Sequence, residues 1–412
     1  MNAILLLVGL LVLAYLGSIL VGGRAIRGYG LPSGSEYLIL GFVLGPHVLG
    51  VVDRAVLGAM EPFLQVGLAW LALVIGVDYG FVGARRVPLS RLILGLCLSL
   101  ACGLGVAAAF ATYALNFTGL QGRELLIACI GVGAVSCDTT RHAVRWVVER
   151  YAARGTLSDL VADIADADDL VPLLSITFAF ALAPSPNIQL EVPFWLFAVT
   201  TLGTGVLLGA LSSALLRVEL RTTQTWGILL GAALFGIGTA ARLGKSALGL
   251  LFALGLTISI LGGRRTELRR MLERTEQPVL LPVLVLAGAY VNLEGIPNPV
   301  GLVLVVLASR VATKWVAGAI LRLTPSGRGA GRILGLGLLP SGALTMAFGL
   351  AFALRFPGVL GQTVLVVAAL VTVFGELVGP TSLRLALARA GEIEAPASSR
   401  LRPSSRPPAR PA

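Results

Sequence analysis

Residues 159–174 read DLVADIADADDLVPLL, a run in which five aspartates interrupt an otherwise apolar stretch. The last two of them, Asp168 and Asp169, are adjacent, so on a helix they point about 100° apart. The whole chain has 412 residues, of which 56% are hydrophobic and only 13% are charged. A soluble domain has roughly 25% charged residues. The composition therefore argues against a water-soluble protein and predicts that this run crosses a lipid bilayer.

Thirteen stretches are predominantly apolar and close to the length of about 17–25 residues that crosses a bilayer. These predicted spans, numbered 1 to 13 in chain order, cover residues 3–21, 33–52, 57–77, 90–115, 125–148, 157–182, 194–216, 223–241, 246–262, 277–293, 300–321, 333–354 and 359–383. The predicted fold class is an all-α polytopic membrane protein with about 13 transmembrane helices in residues 1–387. Residues 388–412, rich in proline, serine, alanine and arginine, are predicted to form a disordered basic tail.

Basic residues are distributed unequally between the two sides of the predicted bundle. Of the 32 lysines and arginines, 25 lie in every second connection, in the span ends beside it or in the tail, and five lie in the alternate connections. Basic connections stay in the cytoplasm, so the N-terminus is predicted outside and the C-terminus in the cytoplasm of a bacterial-type inner or plasma membrane. The net charge of +11 is spread in small groups, so membrane lipid is an expected partner and nucleic acid is not.

Three spans contain ionisable residues at membrane depth, where such residues are costly and mark functional sites. Span 5 contains Asp138, span 6 contains Asp168 and Asp169, and span 11 contains Arg310 and Lys314. At roughly 1.5 Å per residue, these side chains lie about 11–18 Å from the cytoplasmic ends of their spans. The hydrocarbon core is about 30 Å thick. Opposite charges from three distant segments are therefore predicted to meet near its middle.

The paired carboxylates of span 6 predict an ion site. Because Asp168 and Asp169 diverge, we expect one to face Asp138 and the other to face the cations of span 11. A carboxylate beside a second carboxylate and an ammonium group can hold either a proton or a metal cation. Competition between these two occupants is the minimum requirement for exchanging one for the other. The alternative is a buried salt bridge that only fixes helix packing.

Three more aspartates of the same run, Asp159, Asp163 and Asp166, share one helix face on the cytoplasmic side of the pair. Asp163 and Asp166 are predicted to form an acidic funnel that attracts cations. The alternative is an ordinary polar helix end near water, and for Asp159 this alternative is favoured.

Two spans contain local break signals. Gly131, Gly133 and Thr139 lie near Asp138 in span 5, and the run GLGLLPSGALT (335–345) interrupts span 12. Interrupted spans at corresponding positions in two halves are typical of a transporter site. Unwound backbone there is expected to provide carbonyl ligands and helix-end dipoles. The backbone positions concerned are Ser136, Cys137, Pro340, Ser341 and Gly342.

Spans 5 and 12 are seven spans apart, so the two halves would have opposite topology. The sequence therefore predicts inverted repeats over about 1–182 and 223–387, with a linker helix at 194–216. His142 follows the first break, and two interpretations of it stay open, a cytoplasmic pH sensor and an ordinary residue of the helix end.

Several of these segments resemble the cation:proton antiporter superfamily over nearly the whole chain. LILGFVLGPHVLG (38–50) is similar to the second-helix signature of that superfamily, and LALVIGVDYG (71–80) to the next helix, with Asp78 at its acidic position. SCDTT resembles the Thr-Asp motif of the unwound helix, with the aspartate at Asp138. Asp168 and Asp169 match the Asp-Asp pair of the ion-binding helix in that superfamily. Arg310 and Lys314 match the basic positions of its partner helix.

The resemblance implies a homodimer that exchanges sodium or potassium for protons. It implies a scaffold domain, a mobile six-helix core and elevator-like alternating access. Asp169 would be the main carboxylate for cation and proton, with Asp168 as its partner and Asp138 as an accessory. Lys314 would be the counter-ion, with Arg310 beside it, and Thr139 would complete the shell. By the same analogy an Asp-Asp pair implies electrogenic exchange, whereas an Asn-Asp pair would imply electroneutral exchange.

Other classes fit the sequence less well. An intramembrane aspartyl protease would need a Gly-x-Gly-Asp context, which is absent at Asp138 and at Asp168. A channel or a sensor on the same fold would not couple cation flux to protons. The runner-up is a sodium-coupled symporter of an organic anion, which would have fewer membrane carboxylates and more Asn or Gln ligands. We therefore expect no enzymatic activity and no cofactor, only transported Na⁺ or K⁺ and H⁺.

Overall fold

The structure, a computed structural model, describes residues 35–84, 88–183, 193–217, 222–263, 265–330 and 333–393. Within these ranges every regular element is a helix and no strand is present. The predicted all-α class is therefore confirmed for the part of the chain that the structure describes.

Fifteen α-helices and one 3₁₀ helix occupy the described ranges. They are α1 Ser35–Leu44, α2 Arg54–Ala84, α3 Leu89–Phe117, α4 Gly122–Cys137, α5 Arg141–Arg150, α6 Thr156–Asp168, α7 Leu170–Leu182, α8 Phe194–Leu216, α9 Thr222–Arg242, α10 Ala247–Leu261, α11 Arg265–Tyr290, α12 Pro299–Leu321, the 3₁₀ helix Pro325–Ala330, α13 Leu334–Gly337, α14 Ala343–Arg355 and α15 Val359–Arg389.

Six of the described helices are long and apolar enough to cross a membrane. They contain the segments Arg54–Gly80, Leu89–Phe117, Phe194–Leu216, Thr223–Arg242, Pro299–Leu321 and Val359–Arg389. These segments coincide with predicted spans 3, 4, 7, 8, 11 and 13. Span 1 lies outside the described residues, so the total of thirteen and the inverted repeats stay predictions.

Three predicted spans are divided into two helices each. Span 5 becomes α4 and α5, and span 12 becomes α13 and α14, at the two predicted breaks. Span 6 was predicted as one helix, but it is interrupted at Asp169, between α6 and α7. Pro172 explains this third break, because proline lacks the N–H that would bond to the carbonyl of Asp168.

Span 10 was predicted to begin at residue 277, but α11 begins at Arg265. The additional residues are mostly Arg, Glu and Leu, which favour helix without being apolar. Hydropathy detects only the apolar part of such a helix. The longer helix places Arg269 and Glu276 beside the spans rather than in a connection.

The helices pack as two groups. The flanking group consists of α1, α2 and α8–α11, and the site group consists of α3–α7 and α12–α15. Within the flanking group, α2 and α10 pack backbone to backbone. A Cβ atom at Gly76 would overlap the carbonyl oxygen of Phe252, and one at Gly255 would overlap that of Leu73. Small residues allow helices in a membrane to approach this closely.

Gly76→Ala is expected to destabilise the protein by about 1–3 kcal/mol, because the added methyl group must push two helix backbones apart. Gly238→Ala in α9 is the matched control, since no atom lies within 4 Å of its added Cβ. The control is expected to leave stability unchanged or to raise it by roughly 0.5–1 kcal/mol. Thermal unfolding in detergent measures both variants, and equal midpoints would contradict the close packing.

The ordered chain continues past the predicted start of the tail. After α15 ends at Arg389, the Glu392 carboxylate accepts hydrogen bonds from the backbone N–H groups of Leu157 at 2.7 Å and Ser158 at 2.8 Å. Glu392 thus caps α6, whose first N–H groups have no partner within the helix. Disorder of the tail stays a prediction for residues 394–412, which lie outside the described residues.

Candidate ion site between the broken helices

The two predicted breaks cross and hydrogen-bond to each other. The backbone N–H of Thr140 donates to the Pro340 carbonyl at 2.9 Å, and the Thr139 hydroxyl donates to the Leu338 carbonyl at 3.1 Å. Gly342 faces Thr140 so closely that a Cβ atom would lie 2.5 Å from its Oγ1. The crossing therefore places the ends of four short helices at one buried point.

Arg310 of α12 donates hydrogen bonds to both breaks at this crossing. Its guanidinium donates to the carbonyls of Ser136, Asp138 (2.9 Å) and Leu339 (3.1 Å) and to the Ser341 hydroxyl (2.6 Å). The side chain is fully buried, at 0% exposure. Carbonyls at the end of a helix lack helical donors and have partial negative charge, which a cation stabilises. Arg310 was predicted as a counter-ion, but its described partners are neutral oxygens.

Lys314, one turn further along α12, links the first break to the aspartate pair. Its Nζ donates to the Cys137 carbonyl at 2.6 Å and to the Thr139 hydroxyl at 2.7 Å. It also lies 3.8 Å from Oδ2 of Asp168. Lys314 and Asp168 are both almost fully buried. The structure therefore brings together three predicted site residues from spans 5, 6 and 11.

Asp168 and Asp169 diverge, as expected of adjacent residues, and are only 1% and 3% exposed. Asp168 faces Lys314, and its Oδ1 atom has no hydrogen-bond partner within the described protein. Oδ2 of Asp169 lies 3.9 Å from Nε of Arg141. Each aspartate thus has its own cation at a distance longer than a hydrogen bond. That one of the two carboxylates faces Asp138 stays a prediction.

Asp138 follows the last residue of α4 and faces the start of α14. Its Oδ2 atom accepts a hydrogen bond from the hydroxyl of Thr345, and its Oδ1 atom has no hydrogen-bond partner within the described protein. A carboxylate is favoured at a helix N-terminus. Thr345 lies within the quoted break of span 12, but it was not among the predicted site residues.

Four of the five break positions that were predicted to provide carbonyl ligands already have a partner for that carbonyl on the protein: Ser136, Cys137, Pro340 and Gly342. The carbonyls of Ser136 and Cys137 accept from Arg310 and Lys314, as described above. The carbonyl of Gly342 accepts from the Thr372 hydroxyl at 3.5 Å. By contrast, Oδ1 of Asp138 and Oδ1 of Asp168 have no hydrogen-bond partner within the described protein.

The predicted acidic funnel is paired with arginines. Arg91 lies 2.7 Å from Asp163, and Arg145 donates to both carboxylate oxygens of Asp166 at 2.8 and 3.1 Å. Each pair offsets its own negative charge. These aspartates therefore do not present a bare acidic surface to cations.

A second buried network joins the two helix groups. Nη1 of Arg141 lies 2.7 Å from Asp78, and Nη2 lies 3.9 Å from Glu276. Asp78 also accepts from Nε of Arg269 at 3.1 Å, and Glu276 lies 3.1 Å from Nε2 of His142. Asp78, Glu276 and Arg269 belong to the flanking group, whereas Arg141 and His142 belong to the site group.

Asp78 was predicted only through the family resemblance, and Arg141 and Glu276 were not predicted as site neighbours. The available signal for Arg141 was its position inside predicted span 5, three residues after Asp138. The sequence contained no such signal for Glu276, since it lies just before the predicted start of span 10.

The apolar helices, the crossed helix breaks and the buried charges define an integral, multi-pass membrane protein with a charged centre between broken helices. The sodium/hydrogen exchanger transmembrane family model matches residues 11–389. The chain belongs to this family of transporters. The match confirms the family relationship that was predicted from the motifs. A comparison with curated proteins found no match.

The fold is similar to that of a solved antiporter. The structure of the sodium proton antiporter MjNhaP1 from Methanocaldococcus jannaschii at pH 8 superposes with a TM-score of 0.69 and 14% identity, covering 95% of this chain and 99% of that chain. An electron-microscopy structure of the same antiporter gives a TM-score of 0.69 and 15% identity, covering 96% and 100%. At these identities the similarity shows the fold alone.

Proposed function

We propose that this protein is a secondary active antiporter that exchanges a monovalent cation, Na⁺ or K⁺, for protons by alternating access. Membership of the sodium/hydrogen exchanger family supports the reaction. One observation supports the site: two adjacent buried aspartates each lie near a separate cation. Asp168 is 3.8 Å from Lys314, and Asp169 is 3.9 Å from Arg141.

The distances fit a site whose occupants replace one another. Buried carboxylates must be compensated, by a cation or by a proton. Asp169 is the main carboxylate of the proposal, Asp168 is its partner, and Asp138 and Thr139 are accessory. When a transported cation compensates Asp168, Lys314 still keeps the Cys137 carbonyl and the Thr139 hydroxyl as acceptors. Lys314 can therefore release the aspartate without losing all of its partners.

The proposed exchange is electrogenic. Two carboxylates can bind two protons on one side of the membrane and a single cation on the other. Each cycle then moves net charge, and its rate depends on membrane potential. The same proposal includes a homodimer, elevator-like movement of the site group against the flanking group, and a place in the inner or plasma membrane with the C-terminus in the cytoplasm.

Reconstituted protein in vesicles tests the proposal. A gradient of Na⁺, K⁺ or Li⁺ is imposed while an internal dye reports pH, with the membrane potential clamped and unclamped. We expect at least one of these cations to drive protons in the opposite direction, at a rate that changes when the potential is clamped. No proton movement with any cation contradicts antiport. Sodium-driven uptake of an organic anion without countermoving protons favours the symporter.

A further inference from the structure

Arg141 lies between carboxylates that belong to different helix groups. Its Nη1 pairs with Asp78 of the flanking group at 2.7 Å, while its Nε lies 3.9 Å from Asp169 of the site group. The Arg141 side chain is 5% exposed, so water screens these interactions little. One buried positive charge is therefore shared between an anchoring carboxylate and the carboxylate proposed to receive the cation.

Asp78 is the closer partner, and the flanking group holds it firmly. Arg269 on α11 donates to Oδ1 of Asp78 at 3.1 Å, which leaves Oδ2 oriented toward Arg141. Glu276, also on α11, lies 3.9 Å from Nη2 of Arg141. Nη2 itself has no hydrogen-bond partner within the described protein. The guanidinium therefore pairs with the flanking group through Nη1, while its Nη2 donors are not used in a hydrogen bond there.

We propose that Arg141 sets the cation affinity of Asp169 according to the position of the site group against the flanking group, an inference that rests on the proposed function. Arginine stays charged in proteins, so its guanidinium competes with a transported cation for Asp169. While Asp78 is in reach, it holds the guanidinium back and the cation can bind. When the site group moves away from the flanking group at Asp78, Asp169 stays beside Arg141, because both belong to the site group. The guanidinium then pairs with Asp169 and displaces the cation.

The proposal predicts opposite signs for two single substitutions. Arg141→Gln removes the competitor, so cation affinity is expected to rise about tenfold, within the usual range of coupling between sites. Asp78→Asn frees the guanidinium to pair with Asp169, so affinity is expected to fall about tenfold. Arg269 keeps Glu273 at 2.8 Å in that variant. The double variant Asp78→Asn/Arg141→Gln is expected to match Arg141→Gln, because Asp78 acts only through Arg141.

The test measures Kd for the transported cation by calorimetry in detergent and KM in proteoliposomes. Arg150→Gln removes an exposed positive charge from the same helix, about 13 Å further along it, and is expected to leave both values unchanged. A purely structural role would weaken binding in every variant, and independent roles would make the double variant additive. Either result overturns the proposal.

If Arg141→Gln alone does not fold, the charge-balanced double variant decides the question. Affinity at or below that of the wild type in the double variant overturns the inference, and tighter binding supports it. Failure of the proposed function gives a different result, since the wild type itself would then show no cation-driven proton movement.

Discussion

Asp169→Asn is expected to abolish cation-driven proton movement while the protein stays folded. An amide neither binds a transported proton nor offsets the charge of a monovalent cation, so both occupants lose the same site. Folding is expected to survive because Arg141, the cation beside Asp169, keeps Asp78 at 2.7 Å. The measurement is the initial rate of internal pH change in proteoliposomes after a cation gradient is imposed, together with the thermal unfolding midpoint in detergent.

Two matched variants of the same run separate the site from its surroundings. Asp159→Asn removes an exposed carboxylate near the start of α6 and is expected to transport at the wild-type rate. Asp168→Asn creates the Asn-Asp pair that the family resemblance associates with electroneutral exchange, so it is expected to exchange ions without responding to membrane potential. Wild-type proton flux in Asp169→Asn would remove Asp169 from the proposed site.

The position of the charged centre could be predicted because ionisable residues are costly in lipid and stand out against apolar neighbours. Lys314 contacts Thr139 and Asp168, which come from two other predicted spans. The two main breaks could be predicted for a similar reason, since Gly342 and its neighbours lie inside an otherwise apolar run. The periodicity of apolar residues and the presence of isolated charges are local features of the sequence. They can therefore be recognised without knowledge of the tertiary structure.

The pairing of the charges could not be predicted. Asp169 lies between α6 and α7 rather than inside one continuous helix, and no apolar pattern fixes how these two helices are rotated. Glu276 lies on a polar helical turn of α11, which hydropathy assigns to a connection. Arg141 lies inside predicted span 5 but was counted with the basic residues of the next connection, although it is 5% exposed and lies between two carboxylates. Partner choice depends on tertiary packing between distant segments.

Arg310 and Lys314 have different kinds of partners, although both were predicted as counter-ions from the sequence. Lys314 reaches a carboxylate at 3.8 Å, whereas the described partners of Arg310 are carbonyl and hydroxyl oxygens of the two breaks. A guanidinium presents several donors in a fixed plane, which suits several acceptors at once. We infer that Arg310 stabilises the crossing itself.

Arg310→Gln is expected to destabilise the protein by about 2–6 kcal/mol, because at least two buried acceptors lose their donor at once. The carbonyls of Asp138 and Leu339 would lose their donor, and each buried acceptor without a partner costs about 1–3 kcal/mol. The measurement is the thermal unfolding midpoint in detergent, with size-exclusion chromatography to confirm a single species. Arg242→Gln, at an exposed position in α9, is the matched control and is expected to unfold at the wild-type temperature.

Arg310→Lys separates the charge from the shape of the side chain. An ammonium group keeps the positive charge but cannot reach the acceptors of both breaks in the same plane, so an intermediate unfolding midpoint is expected. Full stability with lysine would mean that the charge alone matters. An Arg310→Gln protein that unfolds at the wild-type temperature but no longer transports would contradict the structural role. It would instead favour the predicted counter-ion role.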